Sequence, residues 1–181
     1  MDAIFSAVLC EAGTLAMDPF GNYLIQKLLQ YGTSEQRDTL IEGTQGQIIE
    51  IALNVHGTRV VQKMIECNDS ERQVTAICGA IQPRIMELIQ DMNGNHVIQR
   101  CLASLPADRS SFIFTTVVKE CLAVSCHRHG CCVLQRCLDH ADAQHRSPIV
   151  TPAASFEFGA RPATSPRDGT ATWPLMARPR P

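Results

Sequence analysis

Apolar positions follow a helical period in four segments of this chain. In each segment two aliphatic residues precede a glutamine, a basic residue follows it, and two more apolar residues come next. This spacing is typical of a helix with one buried face. An aliphatic residue six positions before the glycine of each segment indicates a short preceding helix, and the polar stretch after each segment is also compatible with a helix. The pattern predicts units of about three helices, without the alternation that marks strands.

The four segments lie at a nearly constant spacing. Their sequences are FGNYLIQKLL, HGTRVVQKMI, NGNHVIQRCL and HGCCVLQRCL, and their glycines are Gly21, Gly57, Gly94 and Gly130. The glycines are 36, 37 and 36 residues apart, and each glutamine keeps the same offset from its glycine. One such unit cannot bury its apolar face alone, whereas stacked units share a continuous core. The sequence therefore predicts an all-α solenoid.

The chain changes character near residue 147. Seven of its ten prolines lie in residues 147–181, and this stretch has no helical period. Such a composition predicts a disordered tail. The tail begins where the fourth unit should complete its third helix, so we expect this unit to be truncated. The chain is thus divided into a repeat domain, residues 1–142, and a proline-rich tail, residues 147–181.

Three residues flank each aliphatic pair, and they give the repeated helix its chemistry. The first and third positions are Asn22 and Gln26, Thr58 and Gln62, Asn95 and Gln99, and Cys131 and Gln135. The second positions are Tyr23, Arg59, His96 and Cys132. The first and third residues share a helical face, because they are four apart, and the second is displaced by about 100°. Side-chain amides can pair with the edge of a base and a flat side chain can stack on its face, so four units would read single-stranded RNA one base per unit.

A second interpretation of these positions needs no ligand. The Asn and Gln side chains would cap or bridge adjacent helices, and the Tyr and His side chains would belong partly to the core. The glutamine never varies in the four copies while the second position beside it does, and this favours base reading.

The motifs GNYLIQKLL, GTRVVQKMIEC, NGNHVIQRCL and RHGCCVLQRCLDHA closely resemble Pumilio (PUF) repeats, over about residues 2–142. The resemblance implies a right-handed superhelix of three-helix repeats whose concave face binds single-stranded RNA. It also implies messenger 3′ untranslated regions as targets, repression of translation or promotion of decay as the outcome, and a cytoplasmic location. Two features depart from the family pattern: four repeats stand where eight are usual, and Cys132 is a poor stacking group.

The resemblance also implies a base for each unit. In the family, Asn with Gln reads uracil, and Cys, Ser or Thr with Gln reads adenine. The RNA runs antiparallel to the protein, so units 4, 3, 2 and 1 are expected to read 5′-AUAU-3′.

The net charge of the chain does not by itself indicate a nucleic-acid partner. The chain has a net charge of −2, and its repeat portion has eleven basic and sixteen acidic side chains, a balance of −5. Attraction to phosphate must then come from local groups, and a basic residue follows each glutamine. These candidate phosphate contacts are Lys27, Lys63, Arg100 and Arg136. The same residues are equally well explained as solvated helix flanks.

Other kinds of site have weaker support. The stretch CLAVSCHRHGCC contains the candidate zinc ligands Cys121, Cys126, His127, His129, Cys131 and Cys132. It lacks a second, properly spaced ligand pair, so no metal or cofactor is predicted. Neither a nucleophile-elbow motif nor a glycine-rich phosphate loop is present, and an enzyme is not expected.

The expected partners are messenger RNA and protein co-regulators, with no DNA and no membrane. No apolar run approaches membrane-spanning length. Nine cysteines without paired spacing indicate a reducing, intracellular compartment. The main alternative is a protein-binding helical scaffold with weak or no affinity for RNA, because the repeat array is short.

Overall fold

A computed structural model describes residues 2–140, and it describes side chains from residue 5 onward. The helices in this part of the chain are α1 (Asp2–Cys10), α2 (Ala12–Met17), α3 (Gly21–Tyr31), α4 (Ser34–Thr44), α5 (Ile48–Leu53), α6 (Gly57–Glu66), α7 (Glu71–Ile81), α8 (Ile85–Gln90), α9 (Gly94–Ser104), α10 (Ala107–Lys119), α11 (Cys121–Ser125) and α12 (Gly130–His140). Short 3₁₀ turns, Gln45–Gln47 and Gln82–Arg84, precede α5 and α8. No strand occurs between residues 2 and 140.

The helices form stacked units, and the predicted all-α solenoid is confirmed. Each unit begins with a short helix (α2, α5, α8 or α11) and continues with a middle helix (α3, α6, α9 or α12). A third helix follows in the first three units (α4, α7 and α10). The middle helices pack in chain order into one row, α3 on α6, α6 on α9 and α9 on α12. The third helices α4 and α7 pack beside each other, and α1 packs on α2 and α4.

The aliphatic pair before each glutamine lies in the core between successive middle helices. Both members of the pair are fully buried in α6 and α9. In α3, however, Leu24 is 42% exposed, and in α12 Leu134 is only half-buried. The difference follows from position, because among the described residues α3 has no middle helix before it and α12 has none after it. The first residue of each aliphatic pair therefore packs toward the preceding middle helix, and the second packs toward the following one.

The glycine that begins each middle helix allows a close approach to the short helix before it. A Cβ atom added at Gly21 would lie 2.8 Å from the backbone oxygen of Leu15, and one at Gly94 would lie 2.9 Å from that of Leu88. Real Cβ atoms essentially never come so near. These oxygens belong to the aliphatic residues six positions before each glycine, which explains why both residue types recur at that offset.

Two cysteines among the apolar residues that follow the basic position of the repeated segments belong to this core. Cys101 and Cys137 are fully buried. Burial raises the pKa of the Cys137 thiol to about 12 and raises that of Cys101 still further above its ordinary value. All nine cysteines are free thiols.

Two predictions fall wholly or mainly outside the described residues. The proline-rich tail, residues 147–181, is one, and the truncation of the third helix of unit 4, which would follow His140, is the other. Within residues 2–140, no helix is long and apolar enough to cross a membrane.

Candidate nucleic-acid interface

The middle helices begin at a fixed hydrogen-bond acceptor three residues before the glycine. Asp18 Oδ1 accepts from the backbone N–H groups of Phe20 and Gly21 at 2.8 and 2.6 Å. Asn54 and Asp91 make the same pair of bonds in units 2 and 3, at 2.7 to 2.9 Å. These acceptors satisfy N–H groups that every helix start leaves without an intrahelical partner. They were not among the predicted site residues, although they recur in the turn sequences D-P-F-G, N-V-H-G and D-M-N-G.

The residues at the first, second and third positions of one unit are called its clamp. Unit 3 shows how the first and third positions of a clamp are held. Asn95 is 3% exposed, and its Nδ2 donates to the backbone oxygens of Asp91 and Met92, both at 2.8 Å. Its Oδ1 accepts from Gln99 Nε2 at 2.8 Å. In unit 1, Asn22 and Gln26 repeat this arrangement, with the Gln26 Nε2 to Asn22 Oδ1 bond at 2.9 Å. The two residues of each clamp are thus brought together as their spacing predicts.

The bonds of Asn95 leave the glutamine as the outward-facing amide. Both Nδ2 hydrogens of Asn95 are used on the preceding turn, so this side chain does cap its helix as the ligand-free interpretation expects. Gln99 is half-buried and donates one Nε2 hydrogen to Asn95, which fixes the orientation of its amide. An amide held in this way still carries one donor hydrogen and an acceptor oxygen side by side. That pair complements the adjacent N–H and C=O groups on the pairing edge of uracil.

Units 2 and 4 hold their first positions differently. Thr58 Oγ1 donates to the backbone oxygen of Asn93, in the next unit, at 3.0 Å and accepts from Gln62 Nε2 at 3.3 Å. Asn93 Nδ2 in turn donates to the backbone oxygen of Leu53 at 2.8 Å, so units 2 and 3 are bonded to each other here. In unit 4, Cys131 Sγ lies 3.1 Å from the backbone oxygen of Arg128, and Gln135 is exposed.

The second positions all lie on the surface. Tyr23 is 58% exposed, and Arg59, His96 and Cys132 are exposed as well. The interpretation that places Tyr23 and His96 partly in the core is therefore wrong. In units 1 to 3 an exposed flat side chain therefore lies beside the glutamine, which is the arrangement that base stacking requires, whereas Cys132 of unit 4 offers no flat surface.

A groove of about 330 Å³ lies on the middle helices of units 2, 3 and 4. Its lining residues are Gln62, His96, Gln99, Arg100, Ala103, Arg136 and His140. Two predicted base-reading glutamines, one predicted stacking residue and two predicted phosphate contacts thus meet in one place. Ala103 and His140 were not among the predicted site residues, because neither belongs to the motif around the glutamine.

All four candidate phosphate contacts have a partner within the protein: three pair with carboxylates, and Lys27 lies over an aromatic ring. Lys63 Nζ lies 2.5 Å from Glu66 Oε2, and Arg100 Nε lies 3.2 Å from Glu66 Oε1. Arg136 lies 3.8 Å from Asp139, and Lys27 Nζ lies 5.2 Å from the centre of the Tyr31 ring. These pairs are on the surface, where ion pairs contribute little stability and can exchange partners at small cost.

The Cys and His residues of unit 4 do not assemble into a metal site. Among residues 2–140, no group of three or more His, Cys, Asp or Glu side chains is placed to hold a metal ion. His127 Nδ1 instead accepts from the backbone N–H of His129 at 3.3 Å, at the register where the other units have Asp or Asn. Desolvation, followed by the nearby charges of Arg128 and His127, lowers the pKa of His129.

The fold and the repeated clamp define a solenoid of three-helix repeats with one polar face along its middle helices. A family model for the Pumilio-family RNA binding repeat matches residues 12–43, 47–81, 84–116 and 120–151. Since these matches cover well over half of the chain, the chain belongs to the Pumilio family, a family of RNA-binding repeats and not of enzymes.

Individual relatives agree with this assignment. The chain is 46% identical over 151 residues to "pumilio homolog 8, chloroplastic" of Arabidopsis thaliana, covering 82% of this chain and 29% of that protein. It is 40% identical over 150 residues to suppressor protein MPT5 of Saccharomyces cerevisiae, covering 78% of this chain and 18% of that protein. The chain thus spans less than a third of the length of these curated relatives.

Two solved structures share the fold. One is the Puf4 RNA-binding domain bound to the HO endonuclease RNA 3′ UTR recognition sequence, with 42% identity and a TM-score of 0.83. It is matched over 86% of this chain and 48% of that one. The other is the RNA-binding domain of yeast Puf5p bound to SMX2 RNA, with 35% identity and a TM-score of 0.78 over 86% of this chain and 45% of that one.

Proposed function

We propose that this chain binds single-stranded RNA in a sequence-specific manner, one base per unit, along the exposed face of its middle helices. The observation that carries the proposal is the groove in which His96 lies with Gln62 and Gln99, beside Arg100 and Arg136. This groove offers an exposed ring for stacking, amides for base edges and cations for phosphate. The Puf4 domain bound to a 3′ UTR recognition sequence and the Puf5p domain bound to SMX2 RNA add support.

The proposed core sequence is 5′-AUAU-3′. Units 1 and 3, with their Asn and Gln pairs, would read uracil, and units 2 and 4, with Thr or Cys beside Gln, would read adenine. Each unit would contact one nucleotide, and each stacked base contributes about 1 to 3 kcal/mol. Four units should therefore bind specifically but more weakly than a longer array.

The biological role follows from the target class. We propose that the chain recognises 3′ untranslated regions of messenger RNA in the cytoplasm and, with protein co-regulators, controls translation or decay. The free thiols are consistent with a reducing compartment.

Unit 3 is the best place to test base reading, because its clamp is complete and has a neighbour on each side. By analogy with the family code, in which Ser with Glu reads guanine, the double variant Asn95→Ser with Gln99→Glu should shift preference from AUAU to AGAU RNA. His96→Ala should weaken binding to both probes, whereas His96→Tyr, which keeps a flat ring, should retain it. Fluorescence anisotropy at low salt measures all four proteins, because weak complexes survive there.

The same measurement distinguishes RNA binding from the alternative of a protein-binding scaffold. If the parent protein and the double variant each bind AUAU and AGAU equally, the middle helices do not read bases. A solenoid that binds proteins through this face would then be the better description.

A further inference from the structure

Glu66 lies on the face that the proposed base-reading residues share. It follows Gln62 by four residues and Thr58 by eight, so the three side chains line one stripe of α6. The residue at the same register of unit 3 is Ala103, which lines the groove. An acidic side chain thus lies on the surface that is proposed to bind RNA, which is itself negatively charged.

The carboxylate of Glu66 accepts a hydrogen bond from one candidate phosphate contact, Lys63, and lies within ion-pair distance of a second, Arg100. Its Oε2 lies 2.5 Å from Lys63 Nζ, and its Oε1 lies 3.2 Å from Arg100 Nε in the next unit. The hydrogen bond to Glu66 is the main reason that the pKa of Lys63 is raised. The carboxylate thus occupies the ammonium group of Lys63 and offsets the charge of Arg100, the two features that a phosphate group would use.

We propose that Glu66 is an intramolecular competitor of the RNA backbone that limits the affinity of this chain for RNA. The inference rests on the RNA binding proposed above and assigns a role to a residue outside the clamps. RNA must displace the carboxylate from Lys63 and Arg100, or bind beside its negative charge. Since all three side chains are partly exposed, the ion pairs can open without unfolding the helix.

Asp139, the acidic residue at the same register of unit 4, is a weaker competitor. Among residues 2–140 it pairs with Arg136 alone, at 3.8 Å and within its own helix. Glu66 differs because it bridges units 2 and 3, and it lies at the junction where Thr58 also bonds to Asn93.

The test is the isosteric change Glu66→Gln, measured with a short fluorescently labelled RNA carrying AUAU over a series of salt concentrations. The matched control is Glu42→Gln, which alters net charge equally but lies in an ion pair with Arg72 between α4 and α7, at 2.5 Å. We expect Glu66→Gln to tighten binding on the order of fivefold at low salt. Its log Kd should also depend more steeply on log salt, by about 0.7 for each cation that gains a phosphate. Glu42→Gln should leave both quantities close to those of the parent.

The outcomes separate this inference from the proposed function. Equal or weaker binding by Glu66→Gln, with an unchanged thermal midpoint, overturns the competitor role while RNA binding stands. Equal tightening by Glu42→Gln also overturns it, because bulk charge would then explain the gain. Failure of the parent to bind AUAU at low salt, with no gain in either variant, overturns RNA binding itself.

Discussion

At the residue scale, Asp18 shows how a turn in front of a middle helix depends on one acceptor. Its carboxylate accepts two backbone N–H groups, and the bond from Gly21, followed by that from Phe20, lowers its pKa below the ordinary value. Asn54 makes the same two bonds in unit 2 with a neutral amide oxygen, at 2.8 and 2.9 Å. The two turns therefore have the same hydrogen-bond geometry, and they differ only in the charge of the accepting side chain.

This difference predicts a pH effect. Because the pKa of Asp18 is lower in the folded state, its carboxylate contributes stability that is fully present above the unfolded pKa, about 3.9. That contribution is lost as the pH falls through the folded pKa. Asp18→Asn should keep the turn, as Asn54 does, and should show a smaller loss of thermal midpoint in acid than the parent.

Thermal unfolding followed by circular dichroism from pH 7 to pH 2 measures this effect. Glu11→Gln, at an exposed carboxylate without a capping bond, is the control and should follow the parent curve. A parent and an Asp18→Asn variant with parallel curves would show that this carboxylate does not couple protonation to folding.

Residue spacing predicted which clamp residues would meet, but not how deeply each would lie. Asn95 and Gln99 share a face because they are four apart, and the structure joins them by a hydrogen bond. The burial of Asn95 depends instead on the carbonyl groups of the turn before it and on the packing of the next helix. The periodicity of a sequence predicts where a residue lies around a helix, but it does not predict these tertiary contacts. The sequence therefore could not show whether the asparagine caps its helix or reads a base.

At the scale of elements, the glycine at the start of each middle helix sets the distance to the short helix. A Cβ atom at Gly94 would come within 2.9 Å of both the Cα and the backbone oxygen of Leu88. Backbone atoms cannot move aside as a flexible side chain can, so α8 and α9 would have to separate. The four predicted glycines are for this reason the first residues of α3, α6, α9 and α12.

Gly94→Ala should therefore lower the free energy of unfolding by about 1 to 3 kcal/mol, the usual cost of overpacking. Gly79 provides a matched control, because it lies inside α7 and a Cβ atom there would meet nothing within 4 Å. Gly79→Ala should raise the free energy of unfolding by up to about 1 kcal/mol through helix propensity. Urea denaturation gives both values, and a Gly94→Ala variant as stable as Gly79→Ala would contradict the close approach.

At the scale of the whole molecule, stability in a stack of repeats depends on each unit and its neighbours. Leu134 and Leu138 of α12 are only half-buried, whereas Ile98 and Leu102, at the same register of α9, are buried. The turn before α12 is also held by the single 3.3 Å bond to His127, in place of the two shorter bonds to Asp91 before α9. Unit 4 thus has less apolar contact and a weaker cap than unit 3.

Local opening should consequently begin in unit 4. Amide hydrogen exchange measured by mass spectrometry or NMR should be faster in α12, residues 130–140, than in α9, residues 94–104, because exchange reports the free energy of local opening. His127→Asp would restore a carboxylate acceptor at the start of α12, and N-caps contribute about 1 kcal/mol. We expect this change to slow exchange about fivefold in α12 while leaving α3 unchanged, since α3 is not a neighbour of α12. Equal protection of α9 and α12 in the parent would contradict the order of opening, and uniform slowing across all four middle helices would show that the solenoid opens as a single unit.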